Sequence, residues 1–236
     1  MSRLTASNAF LWANCPASVH YFDCKYSKKF KTTNDGKRIG RTAHFVASNI
    51  LKGHEPFENI CGKTLLRNIN REALIQNANW YLKQVNKCIE NEFCTKETEK
   101  RVNLSPILRQ QNSFGKLDFC AYNDKHLYIF DYKTGENKVS VKENYQFLLY
   151  AIGMLLSGCF YEDVTFVVCH AVTRKVTKKT LSLSKILKAG AQLNEAAIKA
   201  HKEARLSPDK STCKAGEHCY FCNGNGACPL TRNKND

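Results

Sequence analysis

The apolar positions change period along the chain. Near the start, AFLWAN reads as a short helix with Thr5 or Ser7 as its N-cap, interrupted at Cys15-Pro16. Residues 25–38 (KYSKKFKTTNDGKR) are basic and turn-rich and predict an exposed loop. Residues 39–52 (IGRTAHFVASNILK) have helical apolar spacing, and residues 64–94 predict one or two helices. The period then shortens. RVNLSPIL (101–108), FGKLDFCAY (114–122) and KHLYIFDYK (125–133) predict strands, with Asn123-Asp124 as the turn between the last two. Residues 142–157 predict a strong helix, 163–172 a buried strand, 174–182 a solvent-facing strand and 184–205 a helix rich in Ala, Leu and Lys. From Pro208 the chain is polar and Cys-rich, too poor in apolar residues to fold unaided.

The strand–helix–strand order in the second half requires a crossover connection, so the expected class is α/β, a mixed sheet flanked by helices. Apolar residues at 43% and charged residues at 24% match ordinary globular usage and argue against wholesale disorder. The length of 236 residues fits one domain with elaborations. Lys and Arg number 36 against 21 Asp and Glu, a net charge of +15. That favours a polyanionic partner, nucleic acid first and an anionic membrane surface second. No segment has the roughly 18–20 apolar residues of a membrane span; the best, Phe147 to Leu156, is too short. MSRLTASNAF has no apolar core followed by a cleavage site, so a cytoplasmic protein is expected, in a host cytoplasm if phage-encoded. In that compartment the twelve cysteines are not expected to form a disulfide framework.

Two segments carry candidate chemistry, Gly115-Lys116-Leu117-Asp118 and Asp131-Tyr132-Lys133-Thr134-Gly135. Each acid belongs to a predicted strand of one hairpin, so the two carboxylates are expected to converge at one edge of the sheet. Two carboxylates and water suit a hard divalent cation such as Mg²⁺ or Mn²⁺. Lys133 follows Asp131 by two, which in a strand puts both side chains on one face. An ammonium there can orient an attacking water and offset charge on phosphorus. The set fits metal-assisted phosphodiester hydrolysis. The competing reading is a surface Asp–Lys pair on a half-buried strand. Glu99 reads as a solvated charge just before the first strand, or as a support for the site.

NCPAS (14–18), GRTAH (40–44), GKLD (115–118), DYKTG (131–135), Gln146 with Tyr150, and the terminal cysteines occur in the order of a known family. The chain resembles the PD-(D/E)XK nuclease superfamily, and within it the RecB-type iron–sulfur exonucleases. That group includes the CRISPR-adaptation nuclease and small phage recombination nucleases. The resemblance implies a restriction-endonuclease-like core over roughly 39–205, in a single nuclease domain spanning 1–236. A cluster-binding region would be made from both termini, roughly 1–24 plus 206–230. It implies His44, Asp118, Asp131 and the backbone carbonyl of Tyr132 as metal ligands, and Lys133 as the residue assisting the water. Gln146 and Tyr150 would line the active site. The implied activity is a Mg²⁺- or Mn²⁺-dependent DNA exonuclease acting on single-stranded or end-opened DNA, in phage recombination or DNA processing. Recombination or single-strand-binding proteins are the further partners in that setting.

Cys219-x2-Cys222-x5-Cys228 has metal-binding spacing and needs a fourth ligand. Within the tail, Cys213 or His218 would complete a zinc knuckle. The resemblance implies Cys15 and a 4Fe–4S cluster instead, with Cys24 as a further alternative. Cys24, Cys61, Cys88, Cys94, Cys120, Cys159 and Cys169 read as buried small hydrophobes. Lys28, Lys29, Lys31, Lys37, Arg38 and Arg41, interleaved with Tyr26 and Phe30, form a candidate path for a single strand. Arg174, Lys175, Lys178 and Lys179 form a second basic patch. Tyr220 and Phe221 either pack on the cluster or touch DNA. The alternative from another class is a non-catalytic nucleic-acid-binding protein with a zinc-binding Cys tail.

Overall fold

The computed structural model describes residues 4–22, 34–59, 69–89, 95–135, 144–224 and 227–232. Three helices come first: α1 (Ala9–Asn14), α2 (Asn34–Leu51) and α3 (Arg71–Ile89). Then follow β1 (Thr95–Asn103), the single turn α4 (Ser105–Leu108), β2 (Phe114–Tyr122), β3 (His126–Lys133) and α5 (Tyr145–Leu156). The second half ends with β4 (Asp163–His170), β5 (Lys175–Ser182), α6 (Leu183–Glu203) and the short α7 (Pro229–Arg232). Among the described residues five strands form one sheet in the order β1-β2-β3-β4-β5. β3 and β4 are parallel, with α5 crossing between them, and the other neighbours are antiparallel. This is an α/β fold with a mixed sheet flanked by helices, as the strand–helix–strand order predicts.

Alternation along β3 and β4 divides the core. Leu127, Ile129, Phe166 and Val168 pack with Phe147, Leu149 and Met154 of α5 and Ile186, Leu193 and Ala197 of α6. Phe130, Tyr132, Val167 and Cys169 pack on the other face against Ala43, Val46 and Ala47 of α2 and Leu74, Ala78 and Tyr81 of α3. Buried apolar strands of this kind are expected where helices cover both faces. Leu4, Ala6, Ala9, Trp12 and Val19 join the α5–α6 side of the core. Reciprocal bonds fix the start of α1: the Thr5 N–H donates to Asn8 Oδ1 at 2.8 Å and the Asn8 N–H to Thr5 Oγ1 at 3.3 Å.

Two expected boundaries move. The first strand is Thr95–Asn103, six residues earlier than RVNLSPIL suggests at its start, and Ser105–Leu108 is helical. An edge strand can be almost wholly polar (TKETEKRVN), which hides its period, and Pro106 favours a helix start. α2 begins at Asn34, so the basic segment is helical over its last five residues rather than loop throughout.

Candidate functional site

The site forms where β2 and β3 stop pairing regularly. Their register ends at Phe119↔Phe130. The next residues are Asp118 and Asp131. The Asp118 carboxylate takes the place of the missing ladder bond: its Oδ2 accepts the Tyr132 backbone N–H at 2.8 Å. The apolar alternation slips at the same point, since Leu117 and Cys120 share one core cluster although three positions apart, and Phe119 belongs to the other. β1 is irregular opposite it. Thr98↔Phe119 and Lys100↔Leu117 bracket Glu99, which has φ +56°. Distortions of this type re-aim side chains, and they gather at functional sites.

His44 reaches the site from α2. Its Nδ1 lies 3.0 Å from Asp118 Oδ1. Lys133 Nζ lies 3.0 Å from Asp131 Oδ1 and 2.9 Å from Oδ2, so the D-x-K pair shares one face as its spacing predicts. Asp131 Oδ2 is buried, and among the described residues its contact is this ammonium, with no hydrogen bond of good geometry. The two acids are therefore brought together as expected, but between two interior strands rather than at an edge of the sheet.

The electrostatics separate the two carboxylates. Burial pushes the Asp131 carboxyl up, and the Asp118 charge adds to that against the pull of Lys133, leaving it above the ordinary carboxylate range. Burial also disfavours Asp118 ionisation, but the His44 hydrogen bond and charge, with the Tyr132 N–H, hold it below that range. Burial lowers His44, yet the bond to Asp118 carries it above its ordinary value. Burial likewise opposes the Lys133 charge, and Asp131 outweighs it. The Asp131 carboxyl is buried and the Asp118 carboxyl half-buried, with Lys133 and His44 as their two cationic partners.

α5 closes the other side. Its Asn144 cap accepts the Gln146 N–H at 3.1 Å. Gln146 Nε2 donates to the Tyr150 hydroxyl at 2.8 Å, the contact their i, i+4 spacing predicts. Burial pushes the Tyr150 phenol up to about 12, so it stays neutral at neutral pH. Gly115 is required here: a Cβ would stand 2.7 Å from the Tyr150 ring.

A cavity of about 900 Å³ opens in front of Asp118, walled by Arg41, His44, Asn49, Lys52, Glu99 and Lys116 among others. Glu99 lies inside β1 rather than before it, and it pairs with Lys116. Sequence reasoning gave Glu99 too little weight and missed Lys52. The usable signal was register, since Glu99 can face Asp118 only once β1 is known to start at Thr95. Arg41 joins the cavity wall, and Arg38 lies one turn earlier on α2. Lys28, Lys29, Lys31, Tyr26, Phe30, Cys24, Cys61 and Cys94 lie outside the described residues, as does the Lys37 side chain. Arg174 of the second basic patch stacks over the Trp80 ring at 5.3 Å.

The chain termini meet on the α6 side. The Lys214 N–H donates to Cys15 Sγ at 3.4 Å, and Asn223 Nδ2 donates to the Phe22 carbonyl at 2.8 Å. Cys15, Cys213, Cys219, Cys222 and Cys228 ring one cavity of about 20 Å³. Among the described residues no three His, Cys, Asp or Glu side chains, neither these cysteines nor His44 with Asp118 and Asp131, stand in metal-ligating geometry. Burial, then the neighbouring Cys228 thiol, pushes Cys213 up to about 12. Thiols so arranged ionise together only when a cation compensates them. His218 lines the same cavity and donates its Nε2–H to the Lys214 carbonyl at 3.0 Å, which leaves Nδ1 as a donor atom beside the cysteines. Cys120 and Cys169 are buried and pushed up to about 12, which matches their reading as small hydrophobes. Among the described residues no helix is long and apolar enough to cross a membrane.

Fold and site together define an α/β protein with a distorted strand pair that holds a half-buried acid–lysine–histidine group. The chain belongs to the family described as "Protein of unknown function (DUF2800)", whose model matches residues 1–236. Among solved structures it is similar to one titled "Crystal structure of SSO0001", at 12% identity and a TM-score of 0.41. That match covers 98% of this chain and 87% of that one.

Proposed function

We propose that this protein is a divalent-metal-dependent deoxyribonuclease of the PD-(D/E)XK type, hydrolysing single-stranded or end-opened DNA from its ends. The observation that supports it most is the meeting of Asp118, Asp131, Lys133 and His44 at one irregular point of the sheet. A structural Asp131–Lys133 ion pair would not need a second carboxylate, Asp118, beside it. Asp118, Asp131, His44 and the Tyr132 carbonyl would hold Mg²⁺ or Mn²⁺. When bound, such an ion supplies Lewis-acid polarisation of a phosphoryl oxygen and a more acidic water. Lys133 orients the attacking water and offsets charge on phosphorus. Gln146 and Tyr150, both uncharged donors, position the phosphate backbone along α5. Arg41, Lys52 and Lys116 draw the strand into the cavity. The bond to the 3′ oxygen breaks and leaves a 5′-phosphate.

Five thiols around one cavity suit a thiolate-bound metal centre once they draw together on the ion. Cys15, Cys219, Cys222 and Cys228 would hold a 4Fe–4S cluster that fastens the two termini together. Zinc is the second reading, favoured by a cavity whose volume of about 20 Å³ takes one ion. Iron and zinc analysis of anaerobically purified protein separates them. The activity is tested with end-labelled single- and double-stranded DNA, Mn²⁺ against EDTA. Metal-dependent shortening that falls about 10²–10⁴-fold in Lys133→Ala is expected. Binding without cleavage in the wild type would instead favour a non-catalytic nucleic-acid-binding protein.

A further inference from the structure

The row of side chains that carries Asp118 continues past the cavity. On β2, Gly115 faces Tyr150 of α5 and Leu117 joins the α5–α6 side of the core. Phe114, Lys116 and Asp118 therefore share the opposite face, toward α2. Phe114 puts an apolar ring on that face, 49% exposed. The Arg101 guanidinium lies over it, 4.6 Å from the ring centroid. Among the described residues Arg101 has no carboxylate partner, while Glu99, two positions earlier on β1, is paired with Lys116. With Arg101 on one side, the exposed area of Phe114 is its other face and its edge. β3 does not cover it: the β2–β3 ladder ends at Phe119↔Phe130, which leaves β1 as the strand beside Phe114 among the described residues.

We propose that Phe114, backed by Arg101, is a stacking site for one unpaired base of the DNA strand whose phosphate lies at Asp118. The inference rests on the nucleic-acid reading of the candidate site and adds where that strand is held. Stacking on an aromatic face tolerates any base, and a guanidinium on the ring adds a planar, charged backing. At about 3.3 Å per strand residue, Phe114 stands roughly 13 Å from Asp118 along β2. That spans about four nucleotides at the stacked rise of about 3.4 Å, and fewer in an extended strand. Lys116 lies between the two on the same face, and Arg41 joins the cavity wall from α2. A surface so charged suits a polyanion rather than an apolar protein partner.

The test measures binding of a fluorescent oligothymidylate about twelve nucleotides long and of a length-matched abasic strand, with no divalent metal added. The proteins are full-length wild type, Phe114→Ala, Phe114→Leu, Phe114→Trp and Arg101→Lys. Phe114→Ala and Phe114→Leu should bind oligothymidylate about tenfold more weakly, while the abasic strand, equal in charge, changes less than about twofold. Phe114→Leu keeps apolar bulk at a half-exposed position, so its loss reports stacking and not misfolding. Phe114→Trp should bind at least as tightly as wild type. Arg101→Lys keeps the charge and loses the planar contact, so it should weaken oligothymidylate about threefold and the abasic strand less. Unchanged oligothymidylate binding in Phe114→Ala and Phe114→Leu, or equal losses on both strands, would overturn the stacking site. Should it fail while Lys133→Ala still abolishes cleavage, the nuclease reading stands alone. A wild type that binds neither strand removes both.

Discussion

Asp118 does three jobs with two oxygens. It replaces a ladder bond to Tyr132, it holds His44, and it stands beside a second acid. The pair with His44 makes a pH-dependent contribution whose sign follows from the shifts. Asp118 is held low in the fold, so its share is present above the unfolded value of about 3.9 and is lost as pH falls through the folded one. His44 is held high, so its share is present below about 6.5 and is lost as pH rises through its folded value. His44→Gln should therefore cost about 1–2 kcal/mol between about pH 4 and 6.5, and less in alkali. Urea midpoints of wild type and variant, without added metal, check this; a gap that widens in alkali contradicts it. The D-x-K spacing and the Gln146–Tyr150 spacing were legible as residues because each is local: period alone decides which side chains share a face. The His44–Asp118 contact was not, because 74 positions separate them and only the family resemblance linked them.

At the scale of elements, α5 sets the depth of the site, and its fit against β1 is tight. A Cβ at Gly153 would stand 2.6 Å from Val102 Cγ2 and 2.8 Å from its Cβ. A β-branched neighbour in a strand has little room to yield. Gly153→Ala should thus lose about 1–2 kcal/mol by overpacking, despite its better helix propensity. Thermal or urea unfolding reads this; a stabilised variant would show that α5 and β1 have slack. The apolar elements β2, β3, β4, α5 and α6 could be read from the sequence, since burial on one or both faces writes a period into them. β1 could not, because an edge strand facing water is free to be charged. Its misplacement also hid Glu99, whose position across from Asp118 depends on the register of the whole strand.

On the scale of the molecule, both termini serve the α5–α6 side. Leu4 to Val19 supply core residues, and the tail docks on them through Lys214 and Asn223. Short apolar runs broken by Cys15-Pro16 give no periodic signal, so only the family resemblance, through NCPAS and the terminal cysteines, implied that the two ends meet. If the cysteines hold a metal centre, it closes a loop of nearly the whole chain, and its loss should free the tail. Cys15→Ser should reduce bound iron and lower the thermal midpoint, whereas Cys213→Ser should keep the iron. The reverse pattern would make Cys213 the fourth ligand.

The central claim is that Asp118 and Asp131 are a catalytic pair rather than a structural one. The most direct measurement is the Mn²⁺-dependent cleavage rate of single-stranded DNA by wild type and Asp118→Ala, with DNA binding measured in parallel. A fall of about 10³-fold or more in rate, with binding retained, is the predicted result. An Asp118→Ala protein that cleaves as fast as wild type would contradict it.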